Sequence, residues 1–242
     1  MQVLEAVILY LVLFFPSLFI GVGEETVIAF SISRELIRIF IYNLPPLAFI
    51  WFLLLKEKTG RRRESAPFLP VLRNAVCSSV SNNINGFLTF ILAFFGLLAI
   101  NAGISVLSGL AERASGISFE ADIAIQTPDT AAGWYTATGW FVLYLSCLSA
   151  GYLEESFFRY YLSDRLKEYG PYPAMLMSSV SFAFCHVYEG LFGVANALFA
   201  GLLLFFIFNK RKSGNGIQTL HAIAFAHGTY NALMYAAVAL NV

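Results

Sequence analysis

Long stretches without a charged residue alternate with short charged connections along this chain. A helix rises about 1.5 Å per residue, so about 20 uncharged residues can cross the roughly 30 Å hydrocarbon layer of a membrane. Seven stretches of 17 to 24 residues meet this pattern. We therefore predict an all-α fold, a polytopic transmembrane helical bundle of about seven spans. The predicted spans are Ala6–Val22, Ile39–Leu55, Gly86–Leu107, Trp134–Leu153, Pro171–Tyr188, Leu191–Phe208 and Ile217–Leu240.

Polar stretches add detail to this layout. The segment from residue 74 to residue 84 lacks charge but is rich in Ser and Asn, and it is a candidate eighth element, interfacial or re-entrant. Glu5 is the only charged side chain before the first span, and no small-residue cleavage site follows that span. We therefore interpret it as a retained span rather than a cleaved signal. Lys56–Leu72 and Ala111–Gly133 are predicted to be connecting loops.

Composition excludes several classes of protein. Of the 242 residues, 58% are hydrophobic and only 12% are charged, which is about half the charged fraction of a soluble domain. The 15 basic residues balance 15 acidic ones, whereas a nucleic-acid-binding protein needs a basic excess. We therefore expect an integral, multi-pass protein of the cell membrane that contacts lipids and has no nucleic acid partner.

The basic residues are distributed unevenly between the two sides of the seven-span model. Twelve of the 15 fall on one side, and only Arg34, Arg38 and Arg113 fall on the other. Short loops rich in Lys and Arg stay in the cytoplasm. The N-terminus is therefore predicted to be cytoplasmic.

Candidate chemistry begins where two carboxylates, Glu154 and Glu155, follow the apolar run of the fourth span. The aromatic residues after them are compatible with a continuing helix, and the first turn signal is the Gly- and Pro-containing sequence around Gly170. Glu154 lies 16 residues before Gly170 and His186 lies 16 residues after it. An antiparallel helix pair would thus place both side chains at equal depth, and His227, 12 residues beyond the next turn, would lie nearby.

Spacing within the fourth helix predicts which groups face one another. Glu155 and Arg159 stand four residues apart with the acid first, the favourable order for an intrahelical ion pair. Glu154 is turned about 100° away on a helix of 3.6 residues per turn. We therefore expect Glu154 to have no ion-pair partner in its own helix and to face His186.

A carboxylate beside an imidazole is a typical arrangement for general-base catalysis. Glu154 and His186 could share and activate a water, and no hydroxyl or thiol stands in a nucleophile motif. His227 and Asn231, four residues apart on one helical face, offer N–H donors to an oxyanion. Phe182, one turn before His186, could pack over its imidazole.

Each of these groups also has a purely structural interpretation. The acidic pair with Arg159 could be a stabilising cluster at the membrane interface, and His186 could be a hydrogen-bonded packing residue. His227 and Asn231 could form polar contacts between helices. The convergence of three groups on one depth favours chemistry over packing.

Three short motifs stand in a fixed order in this half of the chain. Glu154–Arg159 matches E-E-x-x-x-R, Phe182–His186 matches F-x-x-x-H, and His227–Asn231 matches H-x-x-x-N. In this order and separation they resemble the CAAX prenyl protease type II family, also called the CPBP or bacteriocin-processing family of intramembrane endopeptidases. The resemblance covers about Trp140–Tyr235.

The resemblance implies a division of the chain and an activity. Residues 1–130 would be an N-terminal transmembrane region without a family signal, and residues 131–242 a catalytic transmembrane core. The core would hydrolyse a peptide bond of a peptide or protein substrate near the cytoplasmic face. Eukaryotic members of the family process prenylated tails, and some prokaryotic members are associated with bacteriocin maturation or self-immunity, so the substrate stays open.

The resemblance also implies roles for individual residues. The catalytic positions are Glu154, His186, His227 and Asn231, and the supporting positions are Glu155, Arg159 and Phe182. No cofactor is expected, although the family has also been described as metal-dependent, and Glu154, His186 and His227 could hold zinc with one open position. Because Asn is a poor zinc ligand, we favour a glutamate-type mechanism.

Three alternative functions are left open by the sequence. One is a metal-dependent version of the same protease. Another is a non-catalytic bacteriocin self-immunity protein that keeps the motifs for structure. The third is a proton-coupled transporter that uses the Glu and His layer as a relay. A pair of matching halves is the usual sign of a transporter with internal repeats, and the chain has no such pair.

Overall fold

The protein is described by a computed structural model over residues 2–14, 26–28, 30–61, 80–117, 123–125, 135–211 and 216–239. These residues are almost entirely helical, which confirms the all-α prediction. The α-helices are α1 (Gln2–Phe14), α2 (Ile32–Ile37), α3 (Leu44–Arg61), α4 (Val80–Ser115), α5 (Tyr135–Glu155), α6 (Leu162–Leu166), α7 (Pro171–Phe184), α8 (Gly190–Arg211) and α9 (Ile217–Ala239).

Two of the connections between consecutive helices are π-helical, so the chain runs on without a break. Arg38–Asn43 joins α2 to α3, and Ser156–Tyr161 joins α5 to α6. A π-helical segment inside an α-helix is uncommon and is often found at a functional site. The sequence predicted a continuing helix after α5, which is correct, but it did not predict this change of helical form.

Each of the seven predicted spans overlaps a helix. Three helical stretches of the described chain are long and apolar enough to cross a membrane, namely Ile32–Lys56, Ile84–Ser115 and Val187–Arg211. Helices α5 and α9, with 21 and 23 residues, also have the length of a span, and they carry polar residues of the candidate site. The protein is therefore a membrane protein with an all-α bundle, and the count of seven spans stays a prediction.

Some sequence predictions fall outside the described residues. These are the second half of the first span from residue 15 to residue 22, most of the loop after α3, and residues 74–79 of the candidate eighth element. From Val80 onward that candidate element is the beginning of α4.

One departure from the all-α prediction is a pair of three-residue strands. Thr26–Ile28 pairs in parallel with Ile123–Ile125, with Thr26 opposite Ile123. The strand pair joins the segment before α2 to the polar connection after α4. An isolated pair of this size adds little stability, because two strands alone are marginal at best.

Helix packing defines two apolar cores. Helix α9 packs against both α4 and α5, and α8 packs against α4 and α7. One core lies between α4, α8 and α9. The other lies around the π-helical segment Ser156–Tyr161 and includes residues of α1, α3, α6, α7 and α8. The candidate site is built where α5, α7 and α9 meet these cores.

Candidate active site

A close crossing of α5 and α9 brings the first and third motifs together. A Cβ atom on Gly151 would lie only 2.9 Å from the backbone nitrogen of Gly228, and a Cβ atom on Gly228 only 2.7 Å from the Cα of Leu148. Any side chain larger than hydrogen would force the two helices apart. The crossing lies one turn before Glu155 on α5 and next to His227 on α9.

Glu155 is the centre of a buried charge network. Its Oε2 lies 3.1 Å from Nε of Arg159, and its Oε1 lies 2.9 Å from Nδ1 of His227. The side chains of Glu155 and Arg159 are fully buried, and His227 is nearly so. The intrahelical ion pair is the one that the spacing predicted, but the contact between Glu155 and His227 was not predicted.

Glu154 turns toward the other nitrogen of the same imidazole. Its Oε2 lies 3.7 Å from Nε2 of His227, and its side chain is 21% exposed. Although this Oε2 atom is buried, it has no hydrogen-bond partner among the described residues. The expectation that Glu154 lacks an intrahelical partner holds, but its ion-pair contact is with His227 rather than with His186.

His186 stands just beyond the end of a helix rather than inside one. Helix α7 ends at Phe184, and the backbone of His186 has φ −109° and ψ 16°. Its Nδ1 lies 2.9 Å from the carbonyl oxygen of Phe182. A carbonyl can only accept, so Nδ1 carries the proton and the Nε2 of a neutral ring keeps its lone pair. The predicted fifth span, Pro171–Tyr188, is therefore α-helical only as far as Phe184, and the placement of His186 within an antiparallel helix pair is wrong.

Phe182 lies between the two imidazoles. Its ring centroid is 4.7 Å from that of His186 and 5.8 Å from that of His227. The guanidinium carbon of Arg159 lies 5.0 Å from the same centroid, within the range of a cation–π contact. The predicted packing of Phe182 on His186 is present, and the ring additionally contacts His227 of the third motif and the buried guanidinium of Arg159.

A serine connects Arg159 to the helix that ends before His186. Ser178 of α7 donates a hydrogen bond of 2.8 Å to the carbonyl of Phe158, and Nη1 of Arg159 donates to its Oγ at 3.4 Å. Ser178 is completely buried. This contact fixes the height of α7 relative to the π-helical segment.

Asn231 lies one turn beyond His227 on α9 and is half-buried. Four residues along an α-helix return the side chain to nearly the same face, so both side chains can point to one side of the helix. Asn231 is thus placed on nearly the same side of α9 as His227.

The three proposed zinc ligands were tested against this geometry. Among the described residues, no three His, Cys, Asp or Glu side chains are grouped closely enough to hold a metal ion. One nitrogen of His186 and one of His227 are engaged with Phe182 and Glu155. The metal-dependent alternative with Glu154, His186 and His227 as ligands therefore stays a prediction, and the proposed mechanism passes through no metal.

A second buried carboxylate, Glu35 of α2, was not identified from the sequence. Its Oε2 accepts a hydrogen bond of 2.6 Å from Oγ of Ser146, two turns before Glu154 on α5. Arg34 and Arg38 lie 3.7 and 3.6 Å from its carboxylate oxygens. The only sequence signal was a lone acid between two arginines at the start of an apolar stretch.

A comparison with known families finds a match over the segment that carries these residues. The family model described as type II CAAX prenyl endopeptidase, Rce1-like, matches residues 136–233. This segment is an Rce1-like domain. Neither a curated protein nor a solved structure matches the chain.

The match to residues 136–233 supports a general class for this segment, the CAAX-type endopeptidases of the membrane. The matched segment contains all three motifs and both glycines of the helix crossing. Glu35 and α1 lie outside it. Their contacts with the Rce1-like domain are therefore features of this structure that the family model does not describe.

Proposed function

We propose that the protein is a glutamate-type intramembrane endopeptidase that hydrolyses a peptide bond of a protein or peptide substrate near the cytoplasmic face. The observation that supports this most directly is the position of Glu154. Its partly exposed carboxylate is held beside a fully buried charge network and keeps one oxygen without a hydrogen-bond partner among the described residues. A carboxylate in this position is ready to accept a proton from water.

The first chemical step in this proposal is attack by water. Glu154 takes one proton from the water while the water oxygen bonds to the scissile carbonyl carbon. The Nε2 lone pair of His186 accepts a hydrogen bond from the same water and orients it, because Nδ1 is held by the carbonyl of Phe182. General-base assistance of this kind contributes about 10²–10⁴ in rate.

The second part of the proposal is stabilisation of the oxyanion. His227 donates from Nδ1 to Glu155, and two carboxylates near its ring compensate the charge of a doubly protonated imidazolium. Such an imidazolium and the side-chain amide of Asn231 supply two N–H donors. When the tetrahedral intermediate collapses, the C–N bond breaks and the proton held by Glu154 passes to the leaving amine.

Cleavage of peptides by the purified protein tests this proposal. Prenylated and unprenylated peptides are incubated with the wild type, with Glu154→Gln and with His186→Ala, and Glu168→Gln in the exposed turn before Gly170 serves as the control. We expect both site variants to lose at least about 10²-fold in kcat/KM, and the control to match the wild type. Equal cleavage by Glu154→Gln and the wild type would contradict the proposal.

The same preparation separates the alternatives. A chelator leaves a glutamate-type reaction unchanged and abolishes a metal-dependent one. Protection of a producer cell that survives Glu154→Gln, without any cleavage, would instead favour a self-immunity protein. Solute flux into proteoliposomes that requires Glu154, again without cleavage, would favour a proton-coupled transporter. Comparison of the prenylated and unprenylated peptides identifies the substrate class.

We also propose a multi-pass topology with a cytoplasmic N-terminus and the site in the cytoplasmic half. Twelve of the 15 basic residues fall on one side of the seven-span arrangement, which supports this orientation. Cysteine introduced at the exposed Lys167 should react with a membrane-impermeant maleimide only in inside-out vesicles. Labelling of intact cells at this position would reverse the orientation.

A further inference from the structure

Helix α1 makes a polar contact with the last turn of the helix that precedes His186. Oη of Tyr10 donates a hydrogen bond of 2.9 Å to the carbonyl oxygen of Ser181, 171 residues away in the chain. The thiol of Cys185 lies 3.5 Å from the same Oη and 3.4 Å from the same carbonyl. The contact therefore joins the N-terminal helix to the residue directly before His186.

The carbonyl of Ser181 needs this donor because α7 ends in a tightened turn. The amide of Cys185 donates to the carbonyl of Phe182 at 3.1 Å, and the amide of His186 donates to that of Ala183 at 3.0 Å. These bonds reach back three residues, whereas a continuing α-helix would pair the Cys185 amide with Ser181. Helix ends leave such carbonyls to be satisfied by side chains or water, and here the hydroxyl of Tyr10 donates at 2.9 Å beside the weaker thiol donor of Cys185 at 3.4 Å.

This turn also sets the orientation of the imidazole. The carbonyl of Phe182 accepts from the Cys185 amide and from Nδ1 of His186. A rotation of the peptide group between Ser181 and Phe182 would weaken the bond from Tyr10, and it would shift the α7 end that holds Nδ1. The hydroxyl of Tyr10 thus acts on the same short stretch of backbone that fixes His186.

The ring of Tyr10 additionally contacts the segment that follows Glu154 and Glu155. Its centroid lies 6.3 Å from that of Phe157 and 6.2 Å from that of Phe158, in the π-helical segment directly after Glu155. Tyr10 therefore lies between the two chain segments that carry Glu154 and His186. Removal of its hydroxyl alone should leave this aromatic packing in place.

We propose that Tyr10 is a positioning residue for His186, and that α1 completes an active site whose catalytic residues all belong to the Rce1-like domain. This inference rests on the proposed function, in which His186 orients the attacking water. Tyr10 does not contact the reacting atoms. It acts by holding the last turn of α7, so that Nε2 of His186 points to the water.

The kinetic test uses Tyr10→Phe, with Tyr172→Phe at an exposed position of the same α7 as its matched control. We expect Tyr10→Phe to lower kcat by about 10- to 100-fold with little change in KM, since a misplaced catalytic group costs this much in rate. In the His186→Ala background the additional loss should vanish, because Tyr10 would then have nothing to orient. Full activity of Tyr10→Phe, or the same loss in both backgrounds, would overturn the inference.

A second readout does not depend on activity. In a variant that retains only Cys185 among the three cysteines, alkylation by a small permeant thiol reagent reports opening of the α7 end. We expect Tyr10→Phe to increase this rate by about fivefold, the factor that one net hydrogen bond between neutral groups corresponds to, and Tyr172→Phe to leave it unchanged. An unchanged rate in Tyr10→Phe would refute the contact, whereas a wild type that alkylates as expected but cleaves nothing would refute the proposed function instead.

Discussion

Nδ1 of His227 lies 2.9 Å from Oε1 of Glu155, across two helices and 72 residues of sequence. The contact makes Glu155 the shared partner of a buried guanidinium and a buried imidazole, since Arg159 lies 3.1 Å from its other oxygen. The Glu155 carboxylate offsets the charge of the Arg159 guanidinium, which the interior would otherwise exclude, and it also accepts the hydrogen bond of His227. Glu155 is therefore the structural centre of the cluster, and its partly exposed neighbour Glu154 is the residue that we propose as the general base.

Replacement of Glu155 by Ala should destabilise the fold strongly. It leaves the Arg159 guanidinium without its carboxylate in a fully buried position, and loss of one partner from a buried ion pair costs about 3–5 kcal/mol. Thermal unfolding of the detergent-solubilised protein measures this loss. Glu168→Ala, in an exposed turn, should unfold like the wild type. Equal melting temperatures for Glu155→Ala and the wild type would mean that the network carries no stability.

The crossing of α5 and α9 should not tolerate a methyl group. Gly151→Ala or Gly228→Ala would place a Cβ atom within 3 Å of the backbone of the opposite helix, and overpacking costs about 1–3 kcal/mol or more. Gly103→Ala in α4 has nothing within 4 Å of its Cβ position, and it should stabilise its helix by about 0.5–1 kcal/mol. Unfolding midpoints of the three variants compare these opposite effects.

Gly151→Ala and Gly228→Ala should also lose activity relative to Gly103→Ala, because the crossing of α5 and α9 sets the distance between Glu154 and His227. If Gly228→Ala kept both full stability and full activity, the helices would be able to separate without consequence for the site.

Phe182 should be far more sensitive to truncation than its neighbour Phe184. Phe182 is buried between His186, His227 and Arg159, and Phe→Ala at such a position costs about 3–5 kcal/mol. Phe184, on the same helix, is 56% exposed. Unfolding of Phe182→Ala and Phe184→Ala in detergent measures the two losses of unfolding free energy, and we expect the loss for Phe182→Ala to be several-fold larger. Similar losses in the two variants would argue against the packing described.

The hydrogen bond between Ser146 and Glu35 should anchor α2 to the Rce1-like domain. Ser146→Ala removes the donor to a buried carboxylate oxygen at 2.6 Å and should cost about 1–2 kcal/mol. Ser105→Ala, at an exposed position of α4, is the matched control. Proteolysis of the segment before α3 should become faster in Ser146→Ala only. Unchanged proteolysis would show that α2 is held by its apolar contacts alone.

The helices and the site residues differ in how far local sequence could determine them. Every span predicted from an uncharged run overlaps a helix. Burial of apolar side chains in lipid depends on the composition and length of the segment itself rather than on contacts with other helices. The ion pair of Glu155 with Arg159 was also predictable, since a helix sets the spacing of its own side chains. The π-helical form of Ser156–Tyr161 and the end of α7 before His186 were not predictable, because local propensity does not distinguish these forms from a continuing α-helix.

By itself, the sequence determined the all-α class, the membrane environment, the three motifs and their family. The fold class and the membrane environment follow from the hydrophobicity of individual residues. The motifs follow from chemical groups that lie within a few residues of one another in the chain. Only the tertiary structure decided that His227 pairs with Glu155 and faces Glu154, that Phe182 separates two imidazoles, and that Tyr10 reaches the turn before His186. Contacts between helices depend on their rotation and axial offset, and these are set by packing such as the approach of Gly151 to Gly228.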